Sequence, residues 1–265
     1  MPELPDVEIQ KQYLDACALH KKIRQADVRD PSLVKGGSGR ALERALEGKR
    51  LRSTRRHGKH LFASLDGGAW LRLHFGMTGD LAYGKLRDDE PEHTRLRLDF
   101  PNEYALAYTN MRKLGELELI EDPDGYVEEQ KLGIDPLDRG FTIAALRDAL
   151  RGRQGTIKST LMNQQVIAGI GNVYSDEILL ETGLHPKARP HHLRDETLEE
   201  LHHAIKKVLR DAIKARVQPD RFPRRFILPH REEGAACPRC GRTLRQITIS
   251  GRTSYYCPHD QRRKT

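Results

Sequence analysis

The chain has 265 residues, of which 37% are hydrophobic and 32% charged, which predicts a soluble protein with two modest domains and room for a small third element. It has no apolar run near 18 residues and its first residues are partly acidic, so neither a membrane span nor a secretory signal is predicted. The net charge of +8 favours an anionic partner, nucleic acid first, although a solvated basic surface would have the same composition. Four cysteines point to a metal site or free thiols rather than a disulfide framework.

The first 120 residues are predicted to be mostly antiparallel β-structure behind one helix. Residues 5–20 place Val7, Leu14 and Cys17 on one helical face, where Cys17 reads as a small core residue. The stretch KHLFASLDGGAWLRLHFG contains two alternating runs joined by a turn, and RLRLDF and YALAYT flank another turn. KLGELELI adds a further strand, and the set predicts a β-sandwich.

A stretch rich in Pro, Gly and Asp then predicts an interdomain linker, after which the chain becomes helical. The predicted helices are one in FTIAALRDALRG and others over 156–168, 172–182 and 195–216. Gly169 and Gly171 predict a tight turn between two of them, and Asn172 is expected to cap the next helix. The turn amides would suit a DNA phosphate, but an ordinary helix–turn–helix corner has the same pattern.

The C-terminal segment carries a cysteine pattern typical of a zinc ribbon. Cys237 and Cys240 form one pair, and Cys257 follows after a segment that alternates like a hairpin. The fourth ligand is predicted to be Asp260, with His259 as the alternative. One structural Zn²⁺ would stabilise a segment too small to fold unaided, and a metal-free hairpin is the competing interpretation.

Four separated motifs make the chain resemble the formamidopyrimidine-DNA glycosylase / endonuclease VIII family of base-excision repair enzymes. They are PELPDVE, HGKHLF with LHFGMTG, GIGNVYSDEIL and SGRTSYYCP, in that order along the whole chain. The opening PELP is closer to the formamidopyrimidine-DNA glycosylase branch. The resemblance implies a bifunctional glycosylase and abasic-site (AP) lyase that binds damaged double-stranded DNA.

The resemblance also implies catalytic roles for four residues. After removal of Met1, Pro2 would be the nucleophile, and its α-amino group has a lower reference pKa (~8) than a lysine (~10.4). Its attack on the sugar C1′ would give an iminium that supports β,δ-elimination. Glu3 would be the general acid–base carboxylate, Lys59 a phosphate contact and proton donor, and Arg252 a phosphate grip beside the lesion.

Further residues match DNA-binding positions of the family. Those expected to contact phosphates are Lys158, Asn172, His93 and Arg153. Those expected to fill the space left by a flipped base are Met77, Arg112 and Leu114, the last standing where the family has Phe. A leucine can still enter the base stack, but it offers no aromatic face.

Other departures leave the lesion open. Asp6 stands where the guanine-repair branch commonly has Glu, and residues 218–236 do not resemble that branch's Gly-rich lesion-capping loop. Oxidised purines such as 8-oxoguanine or formamidopyrimidine are the expected substrates. Oxidised pyrimidines, a bulkier lesion, or a catalytically silent damage-binding protein are the alternatives.

The expected fold is therefore α+β, with an N-terminal antiparallel β-sandwich, a helix–two-turn–helix domain and a zinc-ribbon hairpin. The expected boundaries are 1–122 for the catalytic sandwich, 123–138 for the linker, 139–228 for the helical domain and 229–265 for the hairpin. A cytoplasmic monomer with no organic cofactor and no membrane partner is predicted.

Overall fold

The structure, a computed structural model, describes residues 2–86 and 90–262. The chain divides into two compact units, the first comprising Met1–Pro2 and Asp6–Gln130 and the second Glu3–Pro5 and Lys131–Thr265. Met1 and residues 263–265, the outermost residues of the expected domain ranges, lie outside the described part. No described helix is both long and apolar enough to cross a bilayer.

The first unit contains two β-sheets. Their strands are β1 (Gln25–Val28), β2 (Val34–Lys35), β3 (Leu51–His57), β4 (His60–Leu65), β5 (Trp70–His74), β6 (Gly79–Lys85), β7 (Thr94–Asp99), β8 (Tyr104–Asn110) and β9 (Glu116–Ile120). One sheet has the order β1-β7-β8-β6 and the other β2-β9-β5-β4-β3. All neighbours pair antiparallel except β2 and β9.

Alternation in the strand sequences accounts for the core of this unit. Leu61 and Ala63 on β4, with Leu71 and Leu73 on β5, are buried in one apolar cluster. Residues 66–68 form the predicted turn, with both glycines in the left-handed region. The expected mixed α+β architecture with a leading helix is confirmed.

Three helices accompany the strands: α1 (Leu4–Cys17), α2 (Gly39–Leu46) and α3 (Pro123–Glu129). Helix α2 was not predicted; its N-cap is Ser38, whose hydroxyl accepts the Ala41 N–H. Helix α3 lies inside the segment expected to be a linker. Cys17 is half-buried against the core, and burial raises the pKa of its thiol to about 11.

The second unit contains α4 (Ile143–Leu150), α5 (Ile157–Leu161), α6 (Asn172–Glu181) and α7 (Asp195–Lys214). Helix α7 buries the predicted apolar stripe. Helix α5 ends earlier than predicted, because the Gln164 amide bonds to backbone in the turns that follow. Its Nε2 donates to the carbonyls of Met162 and Ile170, and its Oε1 accepts the Gly169 N–H.

A two-stranded hairpin completes this unit, formed by β10 (Arg245–Ile249) and β11 (Arg252–Tyr256). Ser250 and Gly251 make its turn with positive φ. The hairpin region has only a small apolar cluster, made of Leu180, Ile227, Leu244 and two cysteines. Such a core needs a further source of stability.

Candidate functional site

The carboxylate of Glu3 lies at the N-terminus of α6, within the second unit. It is 1% exposed and accepts the backbone N–H groups of Gly171 at 2.7 Å, Val173 at 2.9 Å and Tyr174 at 3.2 Å. The first amides of a helix have no intrahelical partners, and the positive end of the helix dipole favours an anion. Glu3 therefore caps α6, and the cap fixes a carboxylate next to Pro2 in the sequence.

Two glycines allow this close approach. A Cβ on Gly171 would lie less than 3.0 Å from the Glu3 carboxyl group. Gly169 has a φ of +100°, and its carbonyl accepts the Leu4 N–H at 3.0 Å. These turn amides were expected to bind a DNA phosphate; in the structure the Gly169 N–H donates to Gln164 Oε1 and the Gly171 N–H to Glu3 Oε2.

Asn172 does not cap α6 as predicted, because Gly171 occupies the N-cap position. Its side-chain Nδ2 instead donates to the Thr253 carbonyl on β11 at 3.0 Å. Its own carbonyl accepts from Lys158 Nζ at 3.1 Å and from Arg231 at 3.2 Å. Asn172 thus connects α6 to the hairpin, and its buried Oδ1 has no hydrogen-bond partner among the described residues.

Lys158 was expected to contact a phosphate, but its side chain is fully buried and its Nζ bonds to Asp176. Burial lowers its pKa, while the neighbouring Asp176 carboxylate opposes that shift. An ammonium enclosed in this way is not presented to a DNA backbone. In this structure Lys158 Nζ therefore contacts Asp176 and the Asn172 carbonyl rather than solvent.

Asp176 joins the helical part of this unit to the hairpin. Besides Lys158, it accepts from Ser254 Oγ at 2.6 Å, from the Tyr255 N–H at 3.1 Å and from Arg231 at 3.1 Å. Sequence reasoning missed Asp176 and Arg231. The available signal was an acidic residue one helical turn after Asn172, on a face that the apolar spacing marks as buried.

Arg252 is the first residue of β11, beside the hairpin turn, and it is exposed. The next residues, Thr253, Ser254 and Tyr255, are held by Asn172 and Asp176. These contacts from α6 therefore hold in place the strand on which Arg252 lies.

Four side chains form a cluster that could hold a metal ion: Cys237, Cys240, Cys257 and Asp260, with ligand atoms within 4.8 Å of one another. Cys240 Sγ lies 3.5 Å from Cys257 Sγ, and Cys237 Sγ lies 3.5 Å from an Asp260 oxygen. Three sulfurs and a carboxylate at these separations suit tetrahedral zinc. His259 is outside the cluster; its Nδ1 contacts Asp260 at 3.0 Å.

Burial raises the pKa of the Cys257 thiol to about 12. A bound cation would favour the thiolate instead. The donor set therefore fits one structural Zn²⁺.

In the first unit, Pro2 is partly exposed, and Lys59 is 8% exposed in the turn between β3 and β4. Gly58 precedes the lysine with a φ of +55°, which makes this tight turn possible.

The residues expected to fill a flipped-base gap lie on two neighbouring loops of the first unit. Met77 is 37% exposed and Leu114 is 50% exposed. The Arg112 N–H donates to Thr78 Oγ1 at 3.0 Å, which links the loops. Met111, which is 55% exposed, was not predicted. Among the described residues, the exposed large hydrophobic side chains are those of Met77, Met111 and Leu114.

Asn110 fastens the two loops together and was also missed. It is fully buried; its Nδ2 donates to the Phe75 carbonyl at 3.1 Å, and its Oδ1 accepts the Leu114 N–H at 3.2 Å. Its Nδ2 also lies 3.1 Å from the hydroxyl of Tyr108. A buried amide satisfied in this way fixes loop geometry strongly.

His93 and Arg153, also expected to contact phosphates, are both exposed. His93 precedes β7 with a φ of +62°, and its carbonyl accepts the Asn110 N–H at 3.0 Å. Arg153 follows α4, and its Nε donates to the Ala149 carbonyl at 3.3 Å.

Family models match three successive parts of the chain. They describe the formamidopyrimidine-DNA glycosylase N-terminal domain at residues 1–117, its H2TH domain at 132–221 and the zinc finger found in FPG and IleRS at 234–263. Formamidopyrimidine-DNA glycosylase of Carboxydothermus hydrogenoformans is 33% identical, over 99% of this chain and 100% of the relative. The chain belongs to the formamidopyrimidine-DNA glycosylase family.

A second relative and two solved structures are similar to this chain over almost its whole length. The Pelotomaculum thermopropionicum protein of the same name is 32% identical over the full length of both chains. The Lactococcus lactis enzyme bound to DNA with an abasic site has a TM-score of 0.89 at 28% identity, covering 98% of this chain and 100% of that one. A MutM complex with DNA containing carbocyclic 8-oxo-G has a TM-score of 0.87 at 28% identity, covering 99% and 100%.

The family membership confirms the resemblance drawn from the motifs and the enzyme class, a DNA glycosylase of DNA repair. It also supports damaged DNA as the partner and a zinc finger at the hairpin.

Proposed function

We propose that the chain removes an oxidised base through a Schiff base on Pro2 and then cleaves the strand by β,δ-elimination. The observation that carries this proposal is the Glu3 carboxylate, held by three backbone amides directly after Pro2 in sequence. A fixed carboxylate beside an N-terminal secondary amine is the pairing of nucleophile and acid–base group that this chemistry needs.

The first stage replaces two bonds at C1′ by a carbon–nitrogen double bond. The unprotonated Pro2 nitrogen attacks C1′ and loses its N–H proton, the N-glycosidic and C1′–O4′ bonds break, and the leaving base and O4′ each take up one proton. Glu3 supplies the proton that opens the sugar ring or neutralises the leaving base. The product is an iminium joining Pro2 to the opened sugar.

The second stage uses the iminium as an electron sink. Loss of a C2′ proton expels the 3′ phosphate, and loss of a C4′ proton then expels the 5′ phosphate. Lys59 contacts a phosphate and donates a proton, and Arg252 binds the phosphates beside the lesion and assists the second elimination. Water finally hydrolyses the imine and restores Pro2.

Oxidised purines are the substrates that we propose. Two neighbours in fold are complexes with Fapy-dG and with carbocyclic 8-oxo-G in DNA. Leu114 in place of an aromatic residue weakens stacking in the base gap, so oxidised pyrimidines are the alternative.

We further propose that residues 1–122 form the catalytic domain, 123–138 the linker, 139–228 the helical domain and 229–265 the zinc hairpin. Asn172, His93 and Arg153 would contact the DNA backbone, with Met77, Arg112 and Leu114 in the base gap. A Zn²⁺ held by the three cysteines and Asp260 would stiffen the hairpin that carries Arg252. The enzyme would act as a monomer in the bacterial cytoplasm.

The test is single-turnover cleavage of duplexes that carry 8-oxoguanine, a formamidopyrimidine or an oxidised pyrimidine. We expect fastest cleavage for a purine lesion, with phosphate left on both sides of the gap. Faster cleavage of the pyrimidine lesion would contradict the substrate proposal. Tight binding without cleavage of any duplex would contradict the catalytic proposal and favour a damage-binding protein.

A further inference from the structure

A groove of about 670 Å³ in the second unit is lined by basic side chains. Its walls include the start of α5, the segment after α6 and the tip of the β10–β11 hairpin. Lys187, Arg189 and His192 line it together with the hydroxyl groups of Thr248 and Ser250. Of the described residues that line it, none is Asp or Glu.

This composition stands out because the chain contains 38 acidic residues. Elsewhere on the same unit, surface cations often face carboxylates: Lys207 and Arg225 both pair with Glu181. Lys187 and Arg189 are exposed. Cations that face no carboxylate among the described residues, beside hydroxyl groups, suit a phosphodiester backbone, whose oxygens accept from both.

The groove is also continuous with the residues expected to contact DNA. At one end, Ser250 precedes Gly251 and Arg252 in the hairpin turn. At the other end, Arg189 donates to the Gln154 carbonyl, and His191 Nδ1 lies 3.1 Å from the Arg153 carbonyl. The groove therefore joins Arg252 to the Arg153 loop along one surface.

We propose that this groove binds the sugar–phosphate backbone of duplex DNA beyond the lesion, with Lys187 and Arg189 as its two phosphate contacts. The location relative to the lesion rests on the proposed role of Arg252. The groove supplies affinity that is independent of the base, because its lining groups match phosphate oxygens.

The experiment measures the Kd of the zinc-loaded protein for two duplexes of the same sequence, one undamaged and one with an abasic analogue, across a range of salt concentrations. For K187A/R189A, we expect the slope of log Kd against log salt to fall by about 1.8, since each phosphate contact contributes ~0.9. Both duplexes should lose affinity by the same factor. The variant K187R/R189K should keep the wild-type slope.

The matched control is R210A/K214A, which removes the same two charge types from the exposed surface of α7 outside the groove. It should keep the wild-type slope. An unchanged slope in K187A/R189A, or an equal fall in the control, would overturn the proposal.

The single variant Lys187→Glu covers the case in which the double variant does not fold. It should weaken binding of both duplexes, and wild-type affinity would overturn the proposal. Absence of lesion preference and of cleavage in the wild type would instead contradict the proposed function, whereas the groove is judged from the salt slope and affinity of the groove variants.

Discussion

Glu3 and Gly171 are 168 residues apart in sequence, and the Gly171 N–H donates to Glu3 Oε2 at 2.7 Å. The same carboxylate also caps α6 through two further amides. One acidic side chain therefore serves both the structure of a helix and, as we propose, the chemistry at its neighbour Pro2. This dual use makes Gly171 as important as the carboxylate itself.

Replacing Gly171 by Ala should displace the Glu3 carboxylate, because the added Cβ would overlap it. We expect base excision to fall by at least ~100-fold, the contribution of a well-placed acid–base group. Single-turnover kinetics measures the effect. Gly37→Ala is the control, since an added Cβ there has open space. Near-wild-type excision by the Gly171 variant would contradict the assigned role of the cap.

Asp176→Asn should destabilise the protein by about 3–5 kcal/mol, because it leaves the buried Lys158 ammonium without its counter-charge. The double variant Asp176→Asn/Lys158→Met should recover part of that loss. Urea denaturation of the wild type, both single variants and the double variant measures the coupling. Strictly additive effects would show that the two residues do not act as a pair.

Asn110→Ala should loosen the two loops that carry Met77 and Leu114, because it leaves the Phe75 carbonyl and the Leu114 N–H unpaired. Excision should slow more for a paired lesion than for one in a mismatch, since a mismatched base costs less to flip. Asn102→Ala, on the surface, is the control. An equal loss on both duplexes would count against a role in base flipping.

Glu177 gives the stability a pH dependence. It is buried, and its carboxylate accepts the Leu228 N–H at 3.1 Å. Burial chiefly raises its pKa from 4.5 to about 8, while the Leu228 and Ile227 amides and Arg225 oppose the shift. The folded state therefore keeps a proton that the unfolded chain loses over this range, so the contribution of Glu177 to stability falls as pH rises from 4.5 to about 8.

Glu177→Gln should remove that contribution, because an amide does not titrate. The unfolding free energy of the variant relative to the wild type should increase with pH across this window. Denaturation at several pH values measures the difference. A difference that is constant with pH would contradict the assigned protonation.

Local patterns in the sequence predicted the elements with strong periodicity. The alternating runs of β4 and β5 and the apolar stripe of α7 depend on residues close in sequence. The zinc cluster was predictable because the spacing of its ligands is local in sequence. Only the fold shows that Asp260, and not His259, joins the three cysteines.

Long-range polar contacts could not be predicted in this way. The spacing of Asn172 suggested a helix cap, but nothing nearby indicates that a carboxylate from residue 3 takes that role. Lys158 was expected to contact a phosphate, and nothing local indicates that its side chain is buried against Asp176. The early end of α5 was also not predictable, because the Gln164 side chain bonds to the backbone of Gly169 and Ile170 in the turn that follows.

The central claim is that Pro2 forms a covalent iminium with the sugar. Borohydride reduction during reaction with abasic-site duplex DNA tests it, with Pro2→Gly beside the wild type and Pro219→Gly, at an exposed turn, as control. We predict a stable protein–DNA adduct for the wild type and the control, and little or none for Pro2→Gly. An adduct of equal yield from Pro2→Gly, or none from a wild type whose Met1 has been removed, would contradict the account.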